Sequence, residues 1–403
     1  MKHKILIIGT GSLLNYGCEA IVHGTYCILK RHFPKSEIYV ASVDKEYDAK
    51  HLPSDIHIIK YLQRFTIYRI YKGILRRFLK IGEGSPVRMD THIGTKFDIV
   101  LSCGGDNFCE TPDGKIYTLL EDLMEIGANA VKGKKKYVLW GASVGPFKNG
   151  NNLKRVLRNL ESANAIFLRE RISHKYMQNF KSLELKSFEV ADPAFCMEPD
   201  TTVKLIRKEG CLYVGLNFSQ LAVSHVIGES DRDNFVSQMH NTLDGILEQN
   251  PNIIFVCVPH VVQRDCPAQD DIQFMGKYLK TTKFPERVEI LPENIGARKT
   301  KGYISQMDIL VAARMHCCVG GISTGTPTLF LTYSSKGKGM AQYAYGHNLY
   351  DIDIKDFNSE HFTQTFSLML NKRPEISATL KRKSKTFAED AMRGGGILKD
   401  ILA

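Results

Sequence analysis

A chain of 403 residues is too long for one comfortable hydrophobic core and fits two domains of ordinary size. Its 43% hydrophobic and 24% charged residues are those of a folded globular protein, which excludes a disordered or fibrous chain. The net charge of +11 favours an anionic partner, be it nucleic acid, an acidic membrane surface or a phosphorylated small molecule, without choosing among them.

The opening MKHKILIIGTGS imitates a secretory leader, but its apolar run stops at Gly9 and reads as a first buried strand, Ile5–Ile8. A Gly-rich loop then leads into a helical segment, Glu19–Arg31. Further short apolar runs predict strands at Glu37–Ala41, Ile56–Ile59, Asp98–Leu101, Lys136–Leu139, Ala165–Leu168 and Phe188–Val190. Between the third and fourth lies Tyr61–Lys80, basic and aromatic with a helical beat. It reads as a surface helix docked on the first domain or as an interfacial helix touching anionic lipid headgroups, a possible peripheral membrane contact. After Phe195 the polar stretch MEPDTTVKLIRKEG marks a border, giving domains 1–200 and 201–403. The second half predicts strands at Tyr213–Leu216, Ile253–Val258, Val288–Ile290, Ile309–Ala312 and Thr328–Phe330. Strands alternating with longer amphipathic segments imply parallel sheets, so both halves read as doubly wound α/β domains of the Rossmann-like kind.

The ten cysteines include no C-x-x-C pair and no metal-ligand spacing, which points to a reduced, cytoplasmic compartment and to no metal site. No apolar stretch approaches the ~20 residues that span a bilayer. No nucleic-acid module signature is present, so no nucleic acid is expected as partner. Oligomeric state is not legible.

The richest cluster runs from Met307 to Met340, where Arg314 and His316 follow directly on a predicted strand. Ligands in doubly wound sheets sit beyond the carboxyl ends of strands. Arg314 offers a planar fork to a carboxylate or phosphate, and His316 moves a proton near neutral pH. Beyond the next strand, Lys336 and Lys338 lie in what reads as a basic Gly loop. Each alone is better explained as a satisfied histidine or a solvated lysine. Their convergence on one crevice points to an anion site.

In the first loop Leu14 stands where a dinucleotide fingerprint needs its third glycine. Asn15 and Glu19 either line an acceptor site at a helix N-terminus or merely cap that helix. Two further turns at strand ends contain Gly105 and Asp106, and Ser143. Their glycines either expose backbone N–H groups to a ligand or serve tight turning alone. Asp106 is a candidate base for a hydroxyl, or a turn former. Arg169, after another strand, is a candidate second cation, or half of a structural ion pair.

In this order the blocks resemble the polysaccharide pyruvyl transferase family: Asn15-x-Gly17-x-Glu19-Ala20, Cys103-Gly104-Gly105-Asp106, Gly141-x-Ser143-x-Gly145-Pro146, Arg169-Glu170-x-x-Ser173, Asp192-Pro193-Ala194-Phe195, Val214-Gly215-Leu216-Asn217, Arg314-x-His316, and Gly325-x-Pro327 followed by Tyr333-x-x-Lys336. The resemblance spans about Ile5 to Met340. It implies a glycosyltransferase B-like architecture, and transfer of an enolpyruvyl group from phosphoenolpyruvate to a sugar or lipid-linked saccharide, usually as a pyruvate ketal. Carried over by motif, Arg314, His316, Arg169 and Lys336 form the donor site, with no cofactor besides the donor substrate. His316 as imidazolium suits proton delivery to the enol, and no metal is required. The first loop departs from the family, which often has Asp where Cys18 precedes Glu19.

Three other readings stay open, one of them a family member that acts in another pathway, such as modification of a cofactor or small thiol. A sugar-nucleotide-dependent glycosyltransferase uses the same architecture and the same cationic strand ends. A nonenzymatic nucleic-acid or lipid-surface binder would use the +11 charge, but basic-aromatic interleaving is confined to Tyr61–Lys80.

Overall fold

The computed structural model describes residues 2–60, 90–111, 114–116, 118–263 and 266–402. The segment from Tyr61 to Lys80, expected as a docked or interfacial helix, lies outside them. The chain divides into two units. The first takes Met1–Leu13, Thr25–Asp192 and Met392–Ala403, and the second Leu14–Gly24 and Pro193–Ala391. The main passage, at Asp192 and Pro193, comes just ahead of the polar stretch where the sequence suggests a border. Two short exchanges, 14–24 and 392–403, have no counterpart in a single cut.

The first unit is built on seven parallel strands in the order β3-β2-β1-β4-β5-β6-β7. They are β1 (Lys4–Ile8), β2 (Glu37–Ser42), β3 (Ile56–Lys60), β4 (Ile99–Ser102), β5 (Lys136–Ala142), β6 (Ala165–Leu168) and β7 (Ser187–Glu189). β4 and β6 are buried at every position, which is why they read as unbroken apolar runs: helices cover both faces of the sheet. The helices Thr118–Lys132 and Gly150–Ser162 contribute Leu120, Leu123, Val156 and Leu160 to one core with Val100, Leu139 and Ile166. Each such side chain stabilises the fold by ~1.5–3 kcal/mol relative to exposure. Trp140 is buried, and its Nε1 donates to Thr25 Oγ1 at 3.1 Å.

The second unit carries six parallel strands in the order β10-β9-β8-β11-β12-β13. They are β8 (Leu212–Asn217), β9 (Ile253–Cys257), β10 (Val288–Ile290), β11 (Ile309–Ala312), β12 (Thr328–Thr332) and β13 (Asp351–Asp353). The last was not expected. Asp-Ile-Asp is too short and polar to announce a strand, and only its pairing with β12, Phe330 opposite Asp351, makes it one.

In both sheets the order reverses beside the first strand of the unit, between β1 and β4 and between β8 and β11. Connections leave such a point toward opposite faces, so a crevice opens at the carboxyl ends of the central strands. In the second unit those ends are Asn217 and the Ala313–His316 turn into the helix Met315–Thr324.

Candidate active site

The second unit's crevice is organised by Asp271, the fully buried first residue of the helix Asp271–Thr281. Its Oδ1 accepts from Arg314 Nε at 3.1 Å and Nη2 at 2.8 Å. Its Oδ2 accepts from the backbone N–H groups of His260 and Val261, each at 3.0 Å, and from Asn217 Nδ2 at 3.2 Å. Asn217 Oδ1 in turn accepts from Arg314 N at 3.0 Å, and Arg314 Nη2 donates to the Gln269 carbonyl at 2.7 Å. One carboxylate thus ties together the ends of β8, β9 and β11. It also orients Arg314 through the Nε and Nη2 edge of the guanidinium.

His316 is the second residue of Met315–Thr324, and its ring lies against Gly17. A Cβ on Gly17 would fall 2.5 Å from His316 Nδ1, so glycine is what lets the imidazole sit there. Gly17 N donates to Asn15 Oδ1 at 3.0 Å, which makes Asn15 the cap of the helix Tyr16–His32. Glu19 is 1% exposed, and its Oε1 accepts from Ala297 N at 2.9 Å, at the head of the helix Gly296–Ile304. Asn15 thus caps its own helix as expected, whereas Glu19 receives the head of another.

The residue that sequence reasoning missed is His260. It follows β9 as Arg314 and His316 follow β11, so the strand-end rule that picked out the latter pair was a usable signal. Its ring is 5% exposed and meets Tyr16 edge-on at 5.9 Å. Burial, and then the charges of His316 and Arg314, push its pKa well below the usual histidine value, so the ring is neutral at pH 7. Asp271 gave no signal: its role depends on a helix that arrives at the crevice 43 residues before Arg314 in sequence.

Lys336 and Lys338 are not on a loop. Ser334 caps a helix, Ser335–Tyr345, and both lysines occupy its first turn. Lys338 Nζ lies 2.7 Å from Asp353 Oδ2, a contact that raises the lysine pKa.

The first unit places Gly105, Asp106, Ser143 and Arg169 together. Arg169, 3% exposed, donates from Nε to Ser143 Oγ at 3.0 Å, from Nη1 to Asp192 at 3.0 Å and from Nη2 to Asp106 at 3.1 Å. Burial opposes its charge, and Asp192 and Asp106 outweigh that, so its pKa is raised. A Cβ on Gly105 would meet the guanidinium at 3.0 Å. Asp192 is fully buried, whereas the Asp106 side chain is half exposed. Here the structure shows the ion pair that was the alternative to a donor cation. The neighbouring Glu170 and Ser173 are structural: Glu170 caps the helix Arg171–Gln178, and Ser173 Oγ accepts from Val144 N at 2.8 Å.

The sequence profile of polysaccharide pyruvyl transferases matches residues 15–335, which takes in both clusters. The chain belongs to that family. No curated protein matches it. Among solved structures, this pyruvyl transferase family member is similar to the Neisseria meningitidis UDP-GlcNAc 2-epimerase bound to UDP-GlcNAc, with a TM-score of 0.60 at 11% identity, covering 100% of this chain and 99% of that one. It is similar also to Anabaena HepE in complex with UDP and glucose, with a TM-score of 0.57 at 9% identity, covering 99% and 98%. At such identities the likeness shows the fold, two Rossmann-like domains of the glycosyltransferase B-like class. Among the described residues no group of three or more His, Cys, Asp or Glu side chains is placed to hold a metal ion. No described helix is long and apolar enough to cross a membrane.

Proposed function

We propose that this transferase moves the enolpyruvyl group of phosphoenolpyruvate onto a sugar of a polysaccharide or lipid-linked precursor, forming a pyruvate ketal and releasing phosphate. The observation that carries the reading is the placing of Arg314 and His316 at the carboxyl ends of the reversing strands, with Asp271 holding the guanidinium. An orienting cation and a proton-moving imidazole side by side suit a substrate that is anionic and must be protonated at carbon.

The chemistry balances with these groups. His316 as imidazolium delivers a proton to the donor's methylene carbon, leaving positive charge on the central carbon. A sugar hydroxyl bonds to that carbon and releases its proton to solvent. Phosphate then departs with the electron pair of its C–O bond, and the second hydroxyl closes the ketal, again losing a proton. Arg314 and Lys336 hold the carboxylate and phosphate and stabilise the charge that collects on the leaving group. Phosphate release on mixing phosphoenolpyruvate with a panel of saccharide acceptors, and calorimetric binding of phosphoenolpyruvate, test the reading. Binding of UDP-sugars with no response to phosphoenolpyruvate overturns it in favour of a sugar-nucleotide enzyme of the same fold.

A further inference from the structure

His260 has no place in the scheme above, yet it stands in the same cluster. Among the described residues neither Nδ1 nor Nε2 of its ring has a hydrogen-bond partner, in a side chain 5% exposed. Leaving a buried polar group unpaired costs ~1–3 kcal/mol, and such groups in native proteins call for a specific explanation. The backbone is no looser: His260 N is held by Asp271, and Tyr16 N donates to the His260 carbonyl at 2.9 Å. The ring is therefore presented in a fixed place with its hydrogen-bonding capacity unspent. The groups around it are Arg314 and His316 from the end of β11, Asp271 at the head of its helix, whose charge is taken up by Arg314, and the edge of Tyr16.

We propose that His260 is a further substrate-contacting residue of this site, one that hydrogen-bonds the phosphate of the donor and takes up a proton when that phosphate binds. The inference rests on the phosphoenolpyruvate reading and adds a second acid to it. In the unliganded protein a charge on His260 is opposed by burial and by the neighbouring cations. A phosphate dianion held by Arg314 reverses that balance, because its negative charge favours the imidazolium it touches. The proton so acquired is then in place for the leaving group. As the C–O bond to phosphate breaks with its electron pair on oxygen, the His260 N–H proton passes to that oxygen and the ring returns to neutral. His316 and His260 thereby divide the work: one protonates carbon at the start, the other protonates the departing phosphate.

Calorimetry with inorganic phosphate and with phosphoenolpyruvate, in buffers of different ionisation enthalpy, reads affinity and proton uptake together. The wild-type protein is expected to take up protons with phosphate. His260→Asn is expected to bind it at least about tenfold more weakly, the loss of one hydrogen bond to a charged group, and with less proton uptake. A folded variant with wild-type affinity and uptake overturns the inference while leaving the donor reading intact. Nitrogen-15 imidazole spectra of the wild-type protein supply a measurement free of any variant. The expected result is one ring that is neutral without ligand and protonated with phosphate, and no ring changing state overturns the inference. Failure of the wild-type protein to bind either anion overturns the donor reading, and this inference with it.

Discussion

Gly17 is the residue on which the placing of the His316 imidazole, the proposed proton donor, depends. Because the obstructing atoms belong to side chains and not to backbone, Gly17→Ala is expected to fold and to turn the His316 ring aside instead. Turnover should fall about 100-fold, since a misplaced group loses most of its catalytic effect, while circular dichroism and phosphoenolpyruvate affinity stay near wild type. His316→Ala should give the same split, with turnover down about 100-fold or more and donor binding retained, in phosphate-release and calorimetric assays. Unchanged turnover in either variant removes His316 from the reaction. The two arginines separate differently. Arg314→Lys should raise the Michaelis constant for the donor, because an ammonium cannot reproduce a planar fork held by Asp271. Arg169→Lys should mainly lower the melting temperature, as the fork joining Ser143, Asp192 and Asp106 is lost. A large rise in the donor Michaelis constant for Arg169→Lys at unchanged stability would return that residue to the donor site.

At the scale of elements, one side chain adds to the backbone ladder at the carboxyl edge of the second sheet. Asp271 reaches β8 through Asn217, β9 through His260 and Val261, and β11 through Arg314. Replacing it by alanine strands the Arg314 guanidinium in a buried place and frees two backbone N–H groups. Removing one partner of a buried ion pair destabilises by ~3–5 kcal/mol, and Asp271→Ala should therefore lower the urea unfolding free energy by about that much. A loss under about 1 kcal/mol would show that the network is dispensable. Helix caps supply smaller increments of the same kind. Asp270 accepts from Gln273 N at 2.9 Å, and Glu170 from Ser173 N at 3.0 Å.

For the molecule as a whole, His260 links stability to pH. Its folded pKa lies well below its unfolded value of about 6.5, so the unfolded chain binds the proton first as pH falls. The stability associated with the neutral ring is fully present above about pH 6.5 and is lost as pH drops toward the folded pKa. Melts between pH 5 and 8 should show the protein losing stability on the acid side of that range. His260→Gln, which cannot titrate, should flatten the slope, and an identical slope in the variant would assign the acid sensitivity to other groups.

Twelve of the thirteen described strands, their parallel pairing and the doubly wound class were legible in the sequence, because the buried central strands are apolar throughout and all of them alternate with longer amphipathic segments. That Arg314 and His316 stand at a strand end was legible for a related reason: the strand itself is easily seen. What only the tertiary structure decided is how each charge is used. Nothing in the local sequence says that Arg169 spends its guanidinium on Asp106 and Asp192, 63 and 23 residues away, or that Lys338 is 2.7 Å from Asp353. It is equally silent on Glu19 bracing a helix 278 residues on. Hydrophobic periodicity records burial, which every residue of an element shares. A hydrogen bond or ion pair between distant residues leaves no such pattern, because it depends on a single pair of side chains that the fold brings together.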